Sequence, residues 1–211
     1  MFSFKSAMTN PQYICLTQYL EALVTCKAIN EMDELKGKRL LDVNIKWPND
    51  VYMNKRTKFV GIICQSSYTN GYFDITSGIG INVSNYKPTT CLEKEIEIKT
   101  GNRINLSRYC LIASFILRGE LLGHYMRIWN DVFPKFNKEG FGPFLSDYYE
   151  LWLHSNQQVN VNTHTIMESV IIKGINENGY LVALTQEGKQ VELIPDGNSF
   201  NLLEGLITKK Q

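Results

Sequence analysis

Two lysines flank a sharp break in a β-rich stretch of this chain. Lys46 comes just before the W-P-N-D step, Lys58 follows a polar tip, and Asn49 and Asp50 lie between them. Pro48 has no backbone N–H, so this step is predicted to be a kink or loop at a strand end. Fixed positive charge at such a bend is suited to binding a phosphate or a carboxylate.

The stretch from Val43 to Ser67 alternates apolar and polar residues and breaks at polar turns, which predicts β-hairpins. Two unit charges about 4 Å apart interact by roughly 4 kcal/mol in a partly shielded cleft, against about 1 kcal/mol in bulk water. Two lysines would therefore stabilise an anion appreciably only in a site that excludes water. The alternative is that each lysine is simply solvated beside its turn.

A later strand-like run, G-I-G-I-N-V, carries two glycines, Gly78 and Gly80. Glycines in a strand either relieve a bulge or let a ligand approach the backbone, and their spacing alone leaves both explanations open. The run does not match the longer dinucleotide fingerprint, and the sequence has no GxxxxGK[ST] phosphate loop. From these residues alone, we predict an anion-binding α/β domain.

Composition narrows the class of protein further. Apolar residues make up 44% of the chain, charged residues 20%, and the net charge of +1 gives no reason to expect nucleic-acid binding. No apolar run has membrane-spanning length and no targeting segment is recognisable at the N-terminus, so we expect a cytoplasmic protein, with an organellar one as the alternative if a leader precedes this sequence. Five cysteines occur singly and three histidines lack ligand spacing, so no protein metal site is expected.

Helices and strands of the N-terminal part can be placed from their periodicity. Met1 to Phe4 alternates as a strand does, and residues 12–32 have helical apolar spacing behind Asn10 and Pro11. Residues 72–83 again resemble a strand. A further helix is predicted to begin at Ser107 and to end at Gly140.

Beyond His154 the pattern changes to short apolar runs separated by turns, which is typical of a small β-barrel or sheet. We place a domain boundary near Ser155, which gives domains of residues 1–155 and 156–211.

Several motifs, in this order and spacing, resemble the biotin protein ligase family. The three central ones are K-W-P-N-D-V-Y, K-F-V-G-I-I-C-Q-S and G-I-G-I-N-V. The resemblance extends to P-T-T-C-L at 88–92, W-L-H-S at 152–155 and P-D-G-N-S-F at 195–200. The last two favour the eukaryotic holocarboxylase synthetase branch, and within it the plant-like one. The similarity covers nearly the whole chain.

This resemblance implies an α+β fold like that of class II aminoacyl-tRNA synthetases, with a mixed sheet, flanking helices and a C-terminal SH3-like barrel. It also implies a biotin–[carboxylase] ligase. Such an enzyme uses ATP and Mg²⁺ to convert biotin to biotinyl-5′-AMP. It then transfers biotin to a lysine of a biotin carboxyl carrier domain of a carboxylase.

The family's roles carry over to matching positions in this sequence. Lys58 would contact the biotin carboxyl group and the α-phosphate, offsetting the charge between two reacting anions. Lys46 would neutralise phosphate in the same step. Asn49 and Asp50 match an Asn-Asp pair near the phosphates, and Asp50 would orient or deprotonate the incoming lysine.

The same carry-over assigns binding roles to residues without charge. Gly61, Gly78 and Gly80 would give clearance along the biotin tail and the nucleotide, and Asn82 would face the adenine. No metal ligand is assigned to the protein.

One family feature is missing, because nothing in this sequence resembles the Gly-Arg-rich loop that closes over the adenylate. Residues 1–155 are therefore expected to be a partial catalytic domain, which leaves open whether the shortened chain is active. Two alternatives remain: a non-catalytic member that binds a carrier domain or another partner, and a lipoate–protein ligase. The P-D-G-N-S-F segment argues against the second.

Overall fold

The computed structural model describes residues 1–32, 40–101, 110–163, 166–194, 198–201 and 206–209. The chain divides into two compact units, Met1–Leu151 and Trp152–Gln211. Within the described residues, no helix is both long and apolar enough to cross a membrane.

The first unit contains a five-stranded sheet. Its strands are β1 (Phe2–Met8), β2 (Val43–Lys46), β3 (Asp50–Met53), β4 (Thr57–Thr69) and β5 (Tyr72–Ile81), in the spatial order β1-β5-β4-β3-β2. Every neighbouring pair is antiparallel. The mixed sheet implied by the family resemblance is therefore not what these strands form. The reason is that β2 to β5 follow one another through short turns, which can join only antiparallel neighbours.

Among the described residues of this unit there are four α-helices: α1 (Thr17–Asn30), α2 (Leu92–Thr100), α3 (Cys110–Glu139) and α4 (Leu145–Leu151). A 3-10 helix, Pro11–Leu16, leads into α1, and its N-cap is Asn10, whose side chain accepts a hydrogen bond from the Gln12 N–H. The helix predicted over 12–32 is confirmed in type, with its first turns tighter than expected. Another 3-10 helix, Gly142–Phe144, precedes α4.

The predicted N-terminus of the third helix at Ser107 lies outside the described residues, while its end before Gly140 agrees with the structure. Helix α2 was not predicted from the sequence. It has Glu93 and Glu95 in its first turn and ends at Gly101, whose φ of 70° is left-handed. Acidic residues near a helix N-terminus and a left-handed glycine after its end are ordinary helix signals.

Helix α1 is buried along most of its length because it packs against both the sheet and α3. The sheet meets α3 through aromatic side chains of β1. Phe2 lies 5.1 Å from Tyr125 and Phe4 lies 5.1 Å from Trp129 between ring centroids, both edge to face. These contacts make one side of the sheet the core of the unit.

An acidic side chain of α1 lies within this core. Glu21 of α1 is fully buried and accepts hydrogen bonds from the hydroxyl of Ser77 and, at 3.0 Å, from the thiol of Cys64. Ser77 and Cys64 are directly paired on β5 and β4. Burial raises the pKa of Glu21 to about 7, against the lowering effect of the two hydrogen bonds.

The second unit is a sheet of six strands: β6 (Gln158–Thr163), β7 (Ile166–Ile175), β8 (Leu181–Thr185), β9 (Gln190–Leu193), β10 (Asn198–Asn201) and β11 (Leu206–Lys209). The spatial order is β10-β11-β6-β7-β8-β9, with β11 and β6 parallel. As described, the sheet is open, with β10 and β9 at its edges. The predicted small β-sheet is present, and its closure into an SH3-like barrel is not confirmed.

Gly140 directly follows α3 and has a left-handed backbone, so a substitution there tests whether glycine is required. Its φ is +71°, and a Cβ built there would lie 2.6 Å from a ring carbon of Tyr13. We expect Gly140→Ala to lower the free energy of unfolding by about 2 kcal/mol or more, from left-handed strain and overpacking together. A Cβ built on Gly119 of α3 would meet no neighbouring atom within 4 Å, so Gly119→Ala should instead stabilise by about 0.5–1 kcal/mol. Urea unfolding distinguishes these outcomes, and equal effects at the two sites would contradict the assignment.

Candidate functional site

Four strands place the predicted site residues in one row across the first sheet. Lys46 lies opposite Asp50, Asp50 opposite Gly61, and Gly61 opposite Gly80. Directly opposed residues of an antiparallel sheet project to the same face. Two charged side chains therefore stand beside two positions that have none, on the face opposite the one formed by core residues such as Ile79.

Lys58 reaches this row because of a β-bulge. Val51 pairs with Val60, but Tyr52 pairs with Lys58, so Phe59 is the extra residue of β4. In a regular strand, residues 58 and 61 would project to opposite faces. Lys58 would then pair with Met53 and project to the same face as that buried side chain. The bulge instead turns the lysine to the face of Gly61.

The lysine side chain then lies across the glycine. A Cβ built on Gly61 would be 3.5 Å from Lys58 Cε and 3.7 Å from its Nζ. The same Nζ forms an ion pair of 2.6 Å with Asp50 Oδ1. The Lys58 side chain is 51% exposed and that of Asp50 21% exposed, so this ion pair is open to a ligand from solvent.

The two lysines influence each other electrostatically. The pKa of Lys46 is lowered, first by burial and also by the charge of Lys58, while Asp50 acts in the opposite direction. Lys46, Asp50 and Lys58 therefore form one charged cluster on one face of the sheet. The cluster carries more positive than negative charge, which favours an anion. Lys58 is half exposed, so the row by itself does not exclude water, and a ligand would have to cover it.

The glycines of β5 are not required by the packing of this structure. A Cβ on Gly78 would be 3.9 Å from the nearest atom, the Ile63 carbonyl oxygen, and one on Gly80 would be 3.8 Å from the Gly61 carbonyl oxygen. Both are ordinary van der Waals distances, and neither glycine has a left-handed backbone. Since glycine weakens a strand and no packing contact here requires it, close approach of a ligand to the backbone is the best reason for these glycines.

Asn49 and Asn82, both predicted to contact the nucleotide, make internal hydrogen bonds. Asn49 Nδ2 donates to the Ile62 carbonyl at 2.8 Å, which anchors the loop after the cis Trp47–Pro48 peptide to β4. Asn82 Nδ2 donates to the carbonyls of Thr90 at 2.7 Å and Asn85 at 3.0 Å. Both amides therefore hold loops beside the charged row, and their contacts with a ligand stay predictions.

Other candidate groups form no such cluster. In the described part of the chain, no three His, Cys, Asp or Glu side chains could hold a metal ion together. His124 lies 3.6 Å from Glu31 and 3.7 Å from Glu120, and His154 contacts Gln157, whereas His164 lies outside the described residues.

Sequence reasoning missed one side chain of this face, Tyr52. It follows Asp50 by two positions and so projects to the same side of β3, which the alternation of the strand already indicated. Its ring lies beneath the Lys46 ammonium, 5.5 Å from Nζ to the ring centroid.

Two family models match this chain. The biotin/lipoate A/B protein ligase family matches residues 1–82, and the biotin protein ligase C terminal domain matches residues 154–201. Together they cover more than half of the chain, and the first contains the whole charged row.

Individual relatives agree with these models. The chain is 36% identical to biotin–protein ligase 2 of Arabidopsis thaliana over 214 residues, covering 100% of this chain and 62% of that protein. It is 34% identical to the chloroplastic biotin–protein ligase 1 of the same plant, covering 100% of this chain and 55% of that protein. The chain therefore spans less than two thirds of the length of these curated relatives.

The fold has solved counterparts as well. The biotin protein ligase from Aquifex aeolicus in complex with biotin and ATP superimposes with a TM-score of 0.56 at 21% identity, over 90% of this chain and 74% of that one. At this identity the comparison supports the fold alone.

Proposed function

Because this chain belongs to the biotin/lipoate A/B protein ligase family, we propose that it carries the phosphate-binding part of a biotin–protein ligase site. The observation that carries the proposal is that Lys46, Asp50 and Lys58 lie on one face of the sheet, next to glycines that present no side chain there. Relatives named biotin–protein ligases match the chain over its whole length. Biotin and ATP are the proposed substrates.

In the first half-reaction, a biotin carboxylate oxygen attacks the α-phosphorus of ATP, and the bond to the pyrophosphate oxygen breaks. Two anions approach each other in this step, so the barrier includes their repulsion. Lys58 lies across Gly61 and would bridge the carboxylate and the α-phosphate. Lys46 would neutralise the phosphate from the side of β2. A point charge is sufficient where the sheet already sets the geometry.

Asp50 has two proposed roles. In the absence of ligand it pairs with Lys58 and holds that ammonium over Gly61. In the second half-reaction, a carrier-domain lysine attacks the biotinyl carbonyl of the mixed anhydride and releases AMP. Asp50 would orient that amine or accept its proton, because it is the acidic group of the charged row.

Mg²⁺ fits this site as a partner of the nucleotide. Mg²⁺ is usually held by one or two carboxylates together with substrate phosphates, and because Asp50 is paired with Lys58, the ATP phosphates would be the main ligands of the ion here. When bound, the ion would supply charge neutralisation for the leaving pyrophosphate.

The uncharged residues have proposed positions in the same site. Gly61, Gly78 and Gly80 would give clearance to the biotin tail and the nucleotide. Asn82 would shape the loop near the adenine through its bonds to Thr90 and Asn85, and Asn49 would hold the loop before Asp50.

At the domain level, residues 1–155 would form a partial catalytic domain. Residues 156–211 would form the C-terminal domain, and the match to the biotin protein ligase C terminal domain supports this division. Its SH3-like closure is implied by the family resemblance alone. The proposed partners are biotin carboxyl carrier domains of biotin-dependent carboxylases, and the proposed compartment is the cytoplasm.

A labelling assay tests the proposal. The chain is incubated with biotin, ATP, Mg²⁺ and an apo carrier domain, and the carrier is probed with streptavidin. A second reaction uses a fusion of this chain with the part of the Arabidopsis relative that lies outside the match. Biotin label in either reaction supports the ligase.

The other outcomes have distinct meanings. Label only in the fused protein would assign the missing part of the site to that segment. Transfer of lipoate instead of biotin would identify a lipoate–protein ligase. Carrier binding without labelling in both reactions would identify a non-catalytic member of the family.

A further inference from the structure

Tyr52 stands between the two lysines of the charged row. It pairs with Lys58 across β3 and β4, and with Asn44 across β2 and β3. Lys46 is two residues beyond Asn44 on the same face, so Lys46 and Tyr52 are diagonal neighbours, a separation that aromatic and long side chains can bridge. The half-buried phenol ring is therefore in reach of both ammonium groups.

The ring faces Lys46 in a cation–π geometry. Lys46 Nζ lies 5.5 Å from the ring centroid, within the distance of about 6 Å at which the negative face of an aromatic ring attracts a cation. Lys46 is partly desolvated, which favours its neutral form. A ring beneath the ammonium opposes that effect, because it stabilises only the charged form.

We propose that the aromatic ring of Tyr52 is a positioning residue of the site, holding the Lys46 ammonium charged and directed along the row toward Asp50 and Gly61. The catalytic part of this inference rests on the proposed ligase function, whereas the pairing of ring and lysine does not. The active feature is the ring face and not the hydroxyl group, because the contact is made to the centroid.

Other groups also act on Lys46. On the neighbouring strands these are Asp50, which raises its pKa, and Lys58, which lowers it. The helices α1 and α4 also pack against β2, and their charged groups are Glu21, Lys27, Asp147 and Glu150. None of these four groups contributes to the pKa shift of Lys46. When Tyr52 is replaced, Asp50 and Lys58 are therefore the charges whose effect on that pKa has to be considered.

The first experiment uses the chain without any substrate. Its lysines are reductively methylated with ¹³C-formaldehyde, and the Lys46 signal, assigned with Lys46→Arg, is followed by NMR as the pH is raised. We expect Tyr52→Leu to move the Lys46 midpoint to lower pH, because the charged form loses the ring. Tyr52→Phe keeps the ring and should leave the midpoint unchanged, as should Tyr72→Leu at the far end of β5.

A second series covers the case in which Tyr52→Leu fails to fold. Phenylalanines with increasing fluorine substitution are placed at position 52, which weakens the ring face while preserving its shape. The Lys46 midpoint should fall step by step with fluorination. An unchanged midpoint across the series, or a Tyr52→Phe variant that titrates like the leucine variant, would overturn the proposal.

The third readout is biotinyl-adenylate formation in whichever form of the protein is active. Tyr52→Leu is expected to lower kcat about tenfold, the size of a partly desolvated cation–π contact, with full rescue in Tyr52→Phe. If neither the chain nor the fused protein forms adenylate, the ligase function is contradicted, while the titrations still decide the pairing of ring and lysine. Equal kcat in wild type and Tyr52→Leu would overturn the positioning role.

Discussion

Replacing Lys58 with alanine is expected to lower the rate of biotinyl-adenylate formation by about 100-fold or more in any active form of this protein. Lys58 is the cation that lies across Gly61, where the proposed carboxylate and α-phosphate meet. Without it, Lys46, on the other side of Asp50, is the remaining lysine of the row that offsets the repulsion of the two anions. Pyrophosphate release in the absence of carrier domain measures this step directly.

Lys55 provides the matched control. It lies in the turn between β3 and β4, three residues before Lys58, and is exposed. Lys55→Ala removes the same charge from the same hairpin and should leave pyrophosphate release within about twofold of wild type, since Lys55 lies in the turn outside the row and acts on it only through solvent. Undiminished release in Lys58→Ala would remove that lysine from the mechanism.

The common face of the two lysines illustrates what the sequence could and could not predict. The hairpins over Val43–Ser67 were predicted correctly from alternation and polar turns, and the structure confirms them. Alternation alone, however, projects Lys58 and Gly61 to opposite faces, because they are three residues apart. The bulge at Phe59 reverses this, and a bulge depends on pairing with the neighbouring strand, which a linear pattern does not contain.

Other differences have equally local causes. Helix α2 went unpredicted because its E-K-E-I-E-I-K segment alternates charged and apolar residues much as a strand does, and the glycine cap at Gly101 was the overlooked signal. Whether the sheet of the second unit closes into a barrel depends on whether its edge strands pair with each other. Short apolar runs in the sequence do not specify that pairing. The burial of Glu21 was not predicted. Helical periodicity identifies the apolar positions that face a core, and it does not identify an acidic residue that is buried among them.

That buried acid leads to the second large effect, which is a loss of stability as pH rises. Glu21 has a pKa of about 7 in the folded protein and an ordinary value of 4.5. Between these values the folded state keeps the proton and the unfolded state releases it, so rising pH favours unfolding. This pKa difference corresponds to about 3 kcal/mol of folding stability. The stability is lost progressively from about pH 4.5 upward, and the loss is complete once the pH has passed the folded-state pKa.

Glu21→Gln isolates this contribution, because an amide keeps a hydrogen-bonding group beside Ser77 and Cys64 but never ionises. We expect the free energy of unfolding of wild type, measured in urea from pH 5 to pH 8.5, to decline relative to that of Glu21→Gln. The exposed Glu139→Gln serves as the control and should follow wild type. Parallel pH profiles for wild type and Glu21→Gln would show that the carboxyl group titrates normally. In that case water must reach it between α1 and the sheet, and the core beneath the charged row would be less tightly closed than its packing indicates.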